Sequence, residues 1–301
     1  MIRTMIDGLP AFRMRMRFFV LAAFLLIAGA ASAFEQEETF TDLIPGKDML
    51  DPARLSELLI RNDVRAINNI ALLWAKGYDG KQSFEEALRW WKEAARRGYT
   101  VAMNNIGLAY ANGHGVAQDY SEAFKWWHQA AFLGNAWAMN SVGDLYENGL
   151  GAPRNMLMAM TWYQSAAAQG EPMAMFNIGV LYESGGGVVP DDAEALAWFR
   201  KSAERGYASA MHSIGAMYAE GRAVEADPAE ALAWYSVAAL LYPAEDAREA
   251  AANRDDIDEL TQELDAEQLT RAKERAAAIE ALCRPVKKAP TKTLEPGEKS
   301  T

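Results

Sequence analysis

The sequence predicts an all-α fold: a right-handed α-α superhelix, or solenoid, of about five helix-turn-helix repeats with capping helices at its N- and C-terminal ends. Two observations carry this. Trp90, Trp126, Trp162, Trp198 and Trp234 stand 36 residues apart, and each is followed by a second aromatic: Trp91, Trp127, Tyr163, Phe199, Tyr235. The same step runs through Ala87, Ala123, Ala159, Ala195 and Ala231, through Gly77, Gly113, Gly149, Gly185 and Gly221, and through Gly98, Gly134, Gly170 and Gly206. A fixed period of this length is the signature of stacked supersecondary units that cannot bury their apolar faces alone.

Each unit reads as two helices. In the second copy, Ala102, Ile106 and Tyr110 fall at i, i+4 and i+8, a helical apolar stripe. Gly113 ends that helix, since Asn-Gly favours a left-handed cap. The second helix starts at a column of good N-caps, Ser83, Asp119, Asn155, Asp191 and Asp227. Three residues on, Glu86, Glu122, Glu194 and Glu230 complete a capping box, with Met158 the exception. Gly107, Gly143, Gly179 and Gly215 sit in mid-helix, where glycine costs about 1 kcal/mol relative to alanine. A recurring cost implies a close helix crossing, in which the alanines of the facing helix share, with the aromatic columns filling the space between successive pairs.

The run Ala102-x3-Ile106-Gly107-x2-Tyr110-x2-Gly113-x-Gly115-Val116-x2-Asp119-x3-Ala123-x2-Trp126-x3-Ala130-Ala131-x2-Gly134 resembles the Sel-one-like repeat, a relative of the tetratricopeptide repeat. Five copies occupy residues 66–243. The first departs most, with Ala71 and Trp74 where Gly and Tyr are usual; the fifth lacks the closing Gly and ends in Leu240, Leu241 and Pro243. Atypical end copies are what a solenoid requires. The resemblance implies a non-enzymatic scaffold or adaptor whose first helices line a concave groove that grips an extended peptide. Carried onto this chain, it places Asn68, Asn104 and Asn140 in that groove, with Asn105 and Asn177 beside them and His212 in the same column. Leu108 and Trp137, with Leu72 and Val180, would add apolar patches. An amide side chain both donates and accepts, so it can pair with a peptide unit. The same asparagines are equally suited to bridging adjacent repeats or bonding to loops.

The flanks complete the plan. Arg13, Arg15 and Arg17 precede an apolar run from Phe18 to Ala28, followed by Ala31-Ser32-Ala33. This is a secretory signal pattern, with cleavage expected after Ala33 and a periplasmic or secreted protein as the outcome. An uncleaved anchor is the alternative; after cleavage no stable membrane span is expected. Residues 34–65 hold a capping helix with Leu55, Leu58 and Leu59 on one face. Residues 244–283 hold C-terminal capping helices, the first over Ala244 to Asn253 and the second from Asp265 to about Leu282. The Pro-, Lys- and Thr-rich stretch 284–301 is expected to be disordered.

Composition narrows the function. The chain of 301 residues carries a net charge of −11, and loss of residues 1–33 would leave 26 positive and 40 negative residues. Such an acidic chain is a poor partner for nucleic acid. One cysteine, Cys283, excludes a disulfide framework and a thiolate zinc site. The three histidines, His114, His128 and His212, show no metal-ligand spacing. The Ser184-Gly-Gly-Gly187 run lacks the Lys-Ser/Thr of a phosphate loop. Adjacent carboxylates such as Asp191-Asp192 point about 100° apart on a helix and make no facing dyad. No metal and no cofactor is expected. The sequence therefore favours an exported scaffold binding a protein or peptide in envelope signalling or assembly. The alternatives are a cell-wall or β-lactam hydrolase on the same scaffold and a glycan-binding envelope protein, for which Trp137 is the candidate aromatic. Oligomeric state is left open.

Overall fold

The computed structural model describes residues 60–77, 82–243 and 246–283. The expected leader 1–33, the N-terminal segment with Leu55, Leu58 and Leu59, and the tail 284–301 lie outside these residues. Among the described residues there are twelve helices and no strand. Repeat 1 is α1 (Val64–Lys76) and α2 (Phe84–Arg96); repeat 2 is α3 (Thr100–Asn112) and α4 (Tyr120–Phe132); repeat 3 is α5 (Ala136–Asn148) and α6 (Met156–Ala168). Repeat 4 is α7 (Pro172–Ser184) and α8 (Asp192–Ala203), and repeat 5 is α9 (Ala208–Glu220) and α10 (Pro228–Leu241). Two longer helices follow, α11 (Ala247–Glu263) and α12 (Ala266–Cys283). Each helix packs chiefly on its neighbours in the chain, and α10 carries both α11 and α12. The core is therefore one continuous row of local contacts.

The glycines in mid-helix seat a ring. A Cβ on Gly107 would lie 2.5 Å from the Trp127 indole, one on Gly143 2.5 Å from Tyr163, one on Gly179 2.5 Å from Phe199 and one on Gly215 2.7 Å from Tyr235. The close approach is thus chiefly between a first helix and the aromatic of its own second helix; at Gly215 the Ala231 carbonyl also comes within 3.2 Å. In repeat 1 Ala71 takes the glycine position above Trp91, and both are fully buried. The two aromatic columns part company here. The second of each pair, Trp91, Trp127, Tyr163, Phe199 and Tyr235, is core; the first, Trp90, Trp126, Trp162 and Trp198, stays half-buried. Trp234 is the exception, because Ile279 and Cys283 of α12 pack with it.

All five N-caps form as the sequence requires: Ser83 accepts from the amide of Glu86, Asp119 from Glu122, Asn155 from Met158, Asp191 from Glu194 and Asp227 from Glu230. The return bonds of the capping box take a different route. The amides of Ser83, Asp119, Asn155, Asp191 and Asp227 donate to the carbonyls of Trp74, Tyr110, Tyr146, Tyr182 and Tyr218, closing the loop between the two helices. Their glutamates are released for other work: Glu86 pairs with Arg89, Glu122 with Lys125 and Glu230 with Arg275. Among the described residues the reciprocal box closes only at the start of α12, where the amide of Asp265 donates to Gln268 Oε1 and the amide of Gln268 to Asp265 Oδ1.

Successive repeats lock through a loop glycine. Gly115 (φ +71°) lies against the backbone of Phe84, Gly151 (φ +67°) against Tyr120 and Gly187 (φ +82°) against Met156, so each loop rests on the start of the preceding second helix. A Cβ there would meet that helix start, and the left-handed backbone favours glycine. The third glycine of the Ser184 run is therefore a repeat-locking residue. Ala223 occupies the same column at φ 60° in repeat 5.

At the C-terminus, α11 continues ten residues beyond the helix expected to end at Asn253. That asparagine is its fully buried anchor: its side-chain amide donates to the Tyr235 carbonyl at 2.9 Å. Cys283 is buried at the end of α12, and burial pushes its thiol up to about 11, so it acts as a small apolar filler.

The glycine seats give a direct test. Gly143→Leu is expected to cost about 3 kcal/mol through overpacking against Tyr163, whereas Lys125→Ala, exposed on α4, should leave the urea midpoint where it is. Coincident unfolding curves for the two variants would contradict the ring-on-glycine contact.

Candidate functional site

The first helices carry the residues that the sequence singles out, and the structure divides them into two sets. Asn68, Asn104, Asn105, Asn140 and Leu108 are buried. Asn177, Trp137 and His212 keep part of their surface open.

The buried asparagines form a ladder between repeats. Asn105 Nδ2 donates to Asn68 Oδ1 at 3.3 Å, and Asn177 Nδ2 donates to Asn140 Oδ1 at 3.0 Å. Both bonds join residues 37 apart, one repeat plus one position. The pattern predicts a rung between Asn104 and residue 141, but residue 141 is serine, and its hydroxyl donates to the Trp137 carbonyl. Asn104 Oδ1 is accordingly buried with no partner. The fourth rung would join residues 176 and 213. Phe176 stands there in place of asparagine, and Ser213 Oγ is likewise buried and unpartnered. Two unsatisfied polar atoms thus have one cause, a broken column. The Asn104 main chain is engaged from the other side: Trp127 Nε1 donates to its carbonyl at 3.1 Å.

What remains accessible is a stripe built on positions i, i+4 and i+7 of the first helices, interrupted where repeats 2 and 5 bury the last two. Its leading column is Arg65, Val101, Trp137, Met173 and Ser209, spaced by 36, and none of the five is buried. Asn69 and Leu72 continue it in repeat 1, Asp144 in repeat 3, Asn177 and Val180 in repeat 4. Of this stripe, sequence reasoning picked out Trp137, Asn177, Leu72 and Val180. It missed the column as such, although the column was visible as a 36-residue series that no packing motif had claimed. Leu108 belongs to the same series but is enclosed in the core, so it offers no apolar surface here.

His212 faces α11. Its Nδ1 lies 3.1 Å from Asn253 Oδ1, and its Nε2 lies 3.6 Å from the Asp256 carboxylate. Because the Asn253 amide nitrogen is committed to the Tyr235 carbonyl, Asn253 presents oxygen to the ring, which fixes the proton on Nδ1. Burial lowers the His212 pKa, against the opposing pull of Asp256 and Asn253. The other two histidines stack on aromatic rings, His114 on Phe84 and His128 on Phe124. Among the described residues no group of three His, Cys, Asp or Glu side chains is placed to hold a metal ion.

The outer face of repeats 2 and 3 departs from the rest. His128, Phe132 and Trp162 form an edge-to-face cluster across α4 and α6. The matching positions of repeats 1 and 4 carry Lys92 and Arg96, and Arg200 and Glu204. Met158 replaces the glutamate of its column. In repeat 5 that glutamate, Glu230, accepts from Trp234 Nε1 at 3.1 Å; in repeat 3 the equivalent Trp162 Nε1 is buried without a partner.

Comparison with known proteins decides the family. The Sel1 repeat model matches residues 64–99, 100–135, 138–171, 172–207 and 208–242. The chain belongs to the Sel1 repeat family. Members of this family are helical scaffolds, generally non-catalytic and commonly engaged in protein interaction. Among solved structures, this Sel1 repeat chain is similar to a protective antigen of uropathogenic Escherichia coli with an SLR fold, at 26% identity and a TM-score of 0.61 over 75% of this chain. It spans about half, 48%, of that antigen's length. It is also similar to a Sel1 repeat protein from Oxalobacter formigenes, at 27% identity and a TM-score of 0.60, over 76% of this chain and 88% of that one. No curated protein matches the sequence. No helix among the described residues is long and apolar enough to cross a membrane.

The ladder predicts a matched pair of stability changes. Ser141→Asn should complete the missing rung and raise stability by about 1 kcal/mol, and Asn105→Ser should remove a rung and lower it by about the same amount. Chemical unfolding of the two variants against the parent chain reads both signs; a loss in both would break the ladder interpretation.

Proposed function

We propose that this Sel1 repeat protein is an exported, non-enzymatic adaptor that binds a protein or peptide partner through the inner face of its solenoid, in bacterial envelope signalling or assembly. The observation that carries the reading is the unburied column on the first helices. Val101, Trp137 and Met173 occupy one register position in three successive repeats, each keeps part of its surface open, and Asn177 beside them is also partly exposed. The tetratricopeptide resemblance puts first helices on the concave side, where such a stripe meets an extended chain. Successive partly exposed apolar anchors suit a peptide, whose side chains need pockets.

Asn68, Asn105 and Asn140 then act indirectly, by setting the angle between repeats and hence the spacing of the anchors. Export rests on the Arg-rich, apolar, Ala-x-Ala pattern of residues 13–33. The periplasm is the compartment that fits a signal-bearing chain with a single cysteine.

In-cell photo-crosslinking tests both halves. A crosslinker at Trp137 or Met173 should give one discrete adduct in the periplasmic fraction, and the same probe at Lys125 on the outer helix should give none. Edman or mass analysis of the captured chain should begin at Phe34. Adducts of equal strength from inner and outer positions would defeat the groove assignment, and a cytosolic chain retaining residues 1–33 would defeat export.

A further inference from the structure

Asp144 stands out in its column. The equivalent positions are Leu72, Leu108, Val180 and Ala216, so the repeat scaffold has no need of a carboxylate there. Asp144 keeps part of its surface open, yet its carboxylate is held among Asn140, Tyr163 and Asn177. Tyr163 Oη lies 2.6 Å from Asp144 Oδ1 and 2.7 Å from Glu147 Oε2. Asn177 Nδ2 donates to Asp144 Oδ1 at 3.2 Å and Asn140 Nδ2 to Asp144 Oδ2 at 3.1 Å.

Counting protons gives a constraint. Each of the two contacts from the Tyr163 oxygen is a short O–H···O hydrogen bond, and each needs its own hydrogen. The phenol has one. The second must come from a carboxyl group, so the chain runs from a protonated carboxyl to the Tyr163 oxygen and from the Tyr163 hydroxyl to the other, ionised carboxylate. Without that second proton, two oxygens bearing lone pairs would face each other at hydrogen-bond distance.

We propose that Asp144, Glu147 and Tyr163 hold one shared carboxyl proton, and that its loss loosens the joint between repeats 3 and 4. The cluster ties α5 to α6 through Tyr163 and α5 to α7 through Asn177, so it sits at that joint. Burial is the main force keeping the proton: it pushes the Asp144 carboxyl up to about 7 and raises Glu147, against the hydrogen bond with Tyr163, which favours the ionised carboxylate. The proton belongs to the pair as a unit.

The surroundings leave few other charges to do this. Arg154, in the loop between α5 and α6, partly favours ionised Glu147, while its Nε is bonded to the Glu147 carbonyl. From α4, Glu122 and Lys125 pair with each other on the surface, and His128 stacks on Phe124. From α7, Glu183 pairs with Arg222, and the N-cap Glu171, its pKa raised by burial, accepts from the Met173 amide. From the start of α9, the Tyr207 phenol senses Asp144 and stays neutral, its pKa raised by burial. The sign follows. A carboxyl whose native pKa lies above its unfolded value of about 3.9 binds more protons folded than unfolded, so its contribution to stability falls as pH rises through that window toward 7.

Two measurements on the full chain test this. Carboxyl carbon NMR of the parent protein should show a resonance titrating near neutral pH, lost in Asp144→Asn and lowered, though still above the ordinary carboxylate range, by Glu147→Gln. Spin labels at Ser121 and Ala193, equivalent exposed positions of repeats 2 and 4, in a Cys283→Ser background, should report a distance distribution that broadens or shifts between pH 6 and pH 8. Asp144→Leu, which restores the residue of repeats 1 and 2, should remove that pH dependence; if it folds poorly, Asp144→Asn serves in its place. Carboxyl groups that all titrate in the ordinary acidic range would overturn the shared proton. A pH-independent label distance in the parent chain would overturn the joint.

Discussion

The solenoid depends on a ring seated on a glycine. Each first helix leaves a gap where a side chain would project, and the second aromatic of its own second helix lies in that gap, 2.5 to 2.7 Å from where a Cβ would stand. The contact sets how closely the two helices of a repeat approach. Interiors pack at the density of organic crystals, so a fixed approach in one repeat constrains the next. The loop glycines at 115, 151 and 187 pass that constraint on, since each rests on the helix start of the preceding repeat.

Around this apolar frame the polar groups are arranged repeat by repeat. The N-cap amides close their own loops onto the first-helix carbonyls, which releases the column glutamates to bind arginine, lysine or tryptophan. The asparagine ladder ties first helices together where both partners are present and leaves a buried polar atom unpaired where one is replaced. A missing partner of this kind costs the desolvation of the group left behind. Variation between otherwise equivalent repeats is therefore energetically uneven, and it concentrates in repeats 2 to 4. There the ladder is broken twice, a carboxylate enters an apolar column, and the outer face turns aromatic.

That unevenness bears on function. A scaffold of identical repeats would present a uniform stripe to a partner. Here the stripe changes from Arg65 to Val101, Trp137 and Met173 and then to Ser209, so its apolar stretch is bounded by polar ends. On the proposed reading, such a stretch would select both composition and length in a bound segment. The Asp144 cluster lies beside it, at a joint whose geometry decides how far apart the anchors stand.

The sequence by itself determined the period, the helix pairs, the N-caps and the glycine stops, because each is a local or strictly periodic requirement: a cap needs one acceptor, and a 36-residue step needs only repetition. It also showed which residues are chemically able to bind a peptide. Only the tertiary structure decided which of them keep exposed surface. Asn68, Asn105 and Asn140 turned inward onto neighbouring repeats, Asn177 joined the same ladder while keeping part of its surface open, and Trp137 kept open surface. It also decided that the mid-helix glycines receive rings rather than alanines, that the capping glutamates point elsewhere, and that Asp144, Glu147 and Tyr163 converge. These outcomes depend on rotation about the helix axis and on the angle between repeats. A periodic pattern leaves both free until the side chains of successive repeats are packed together.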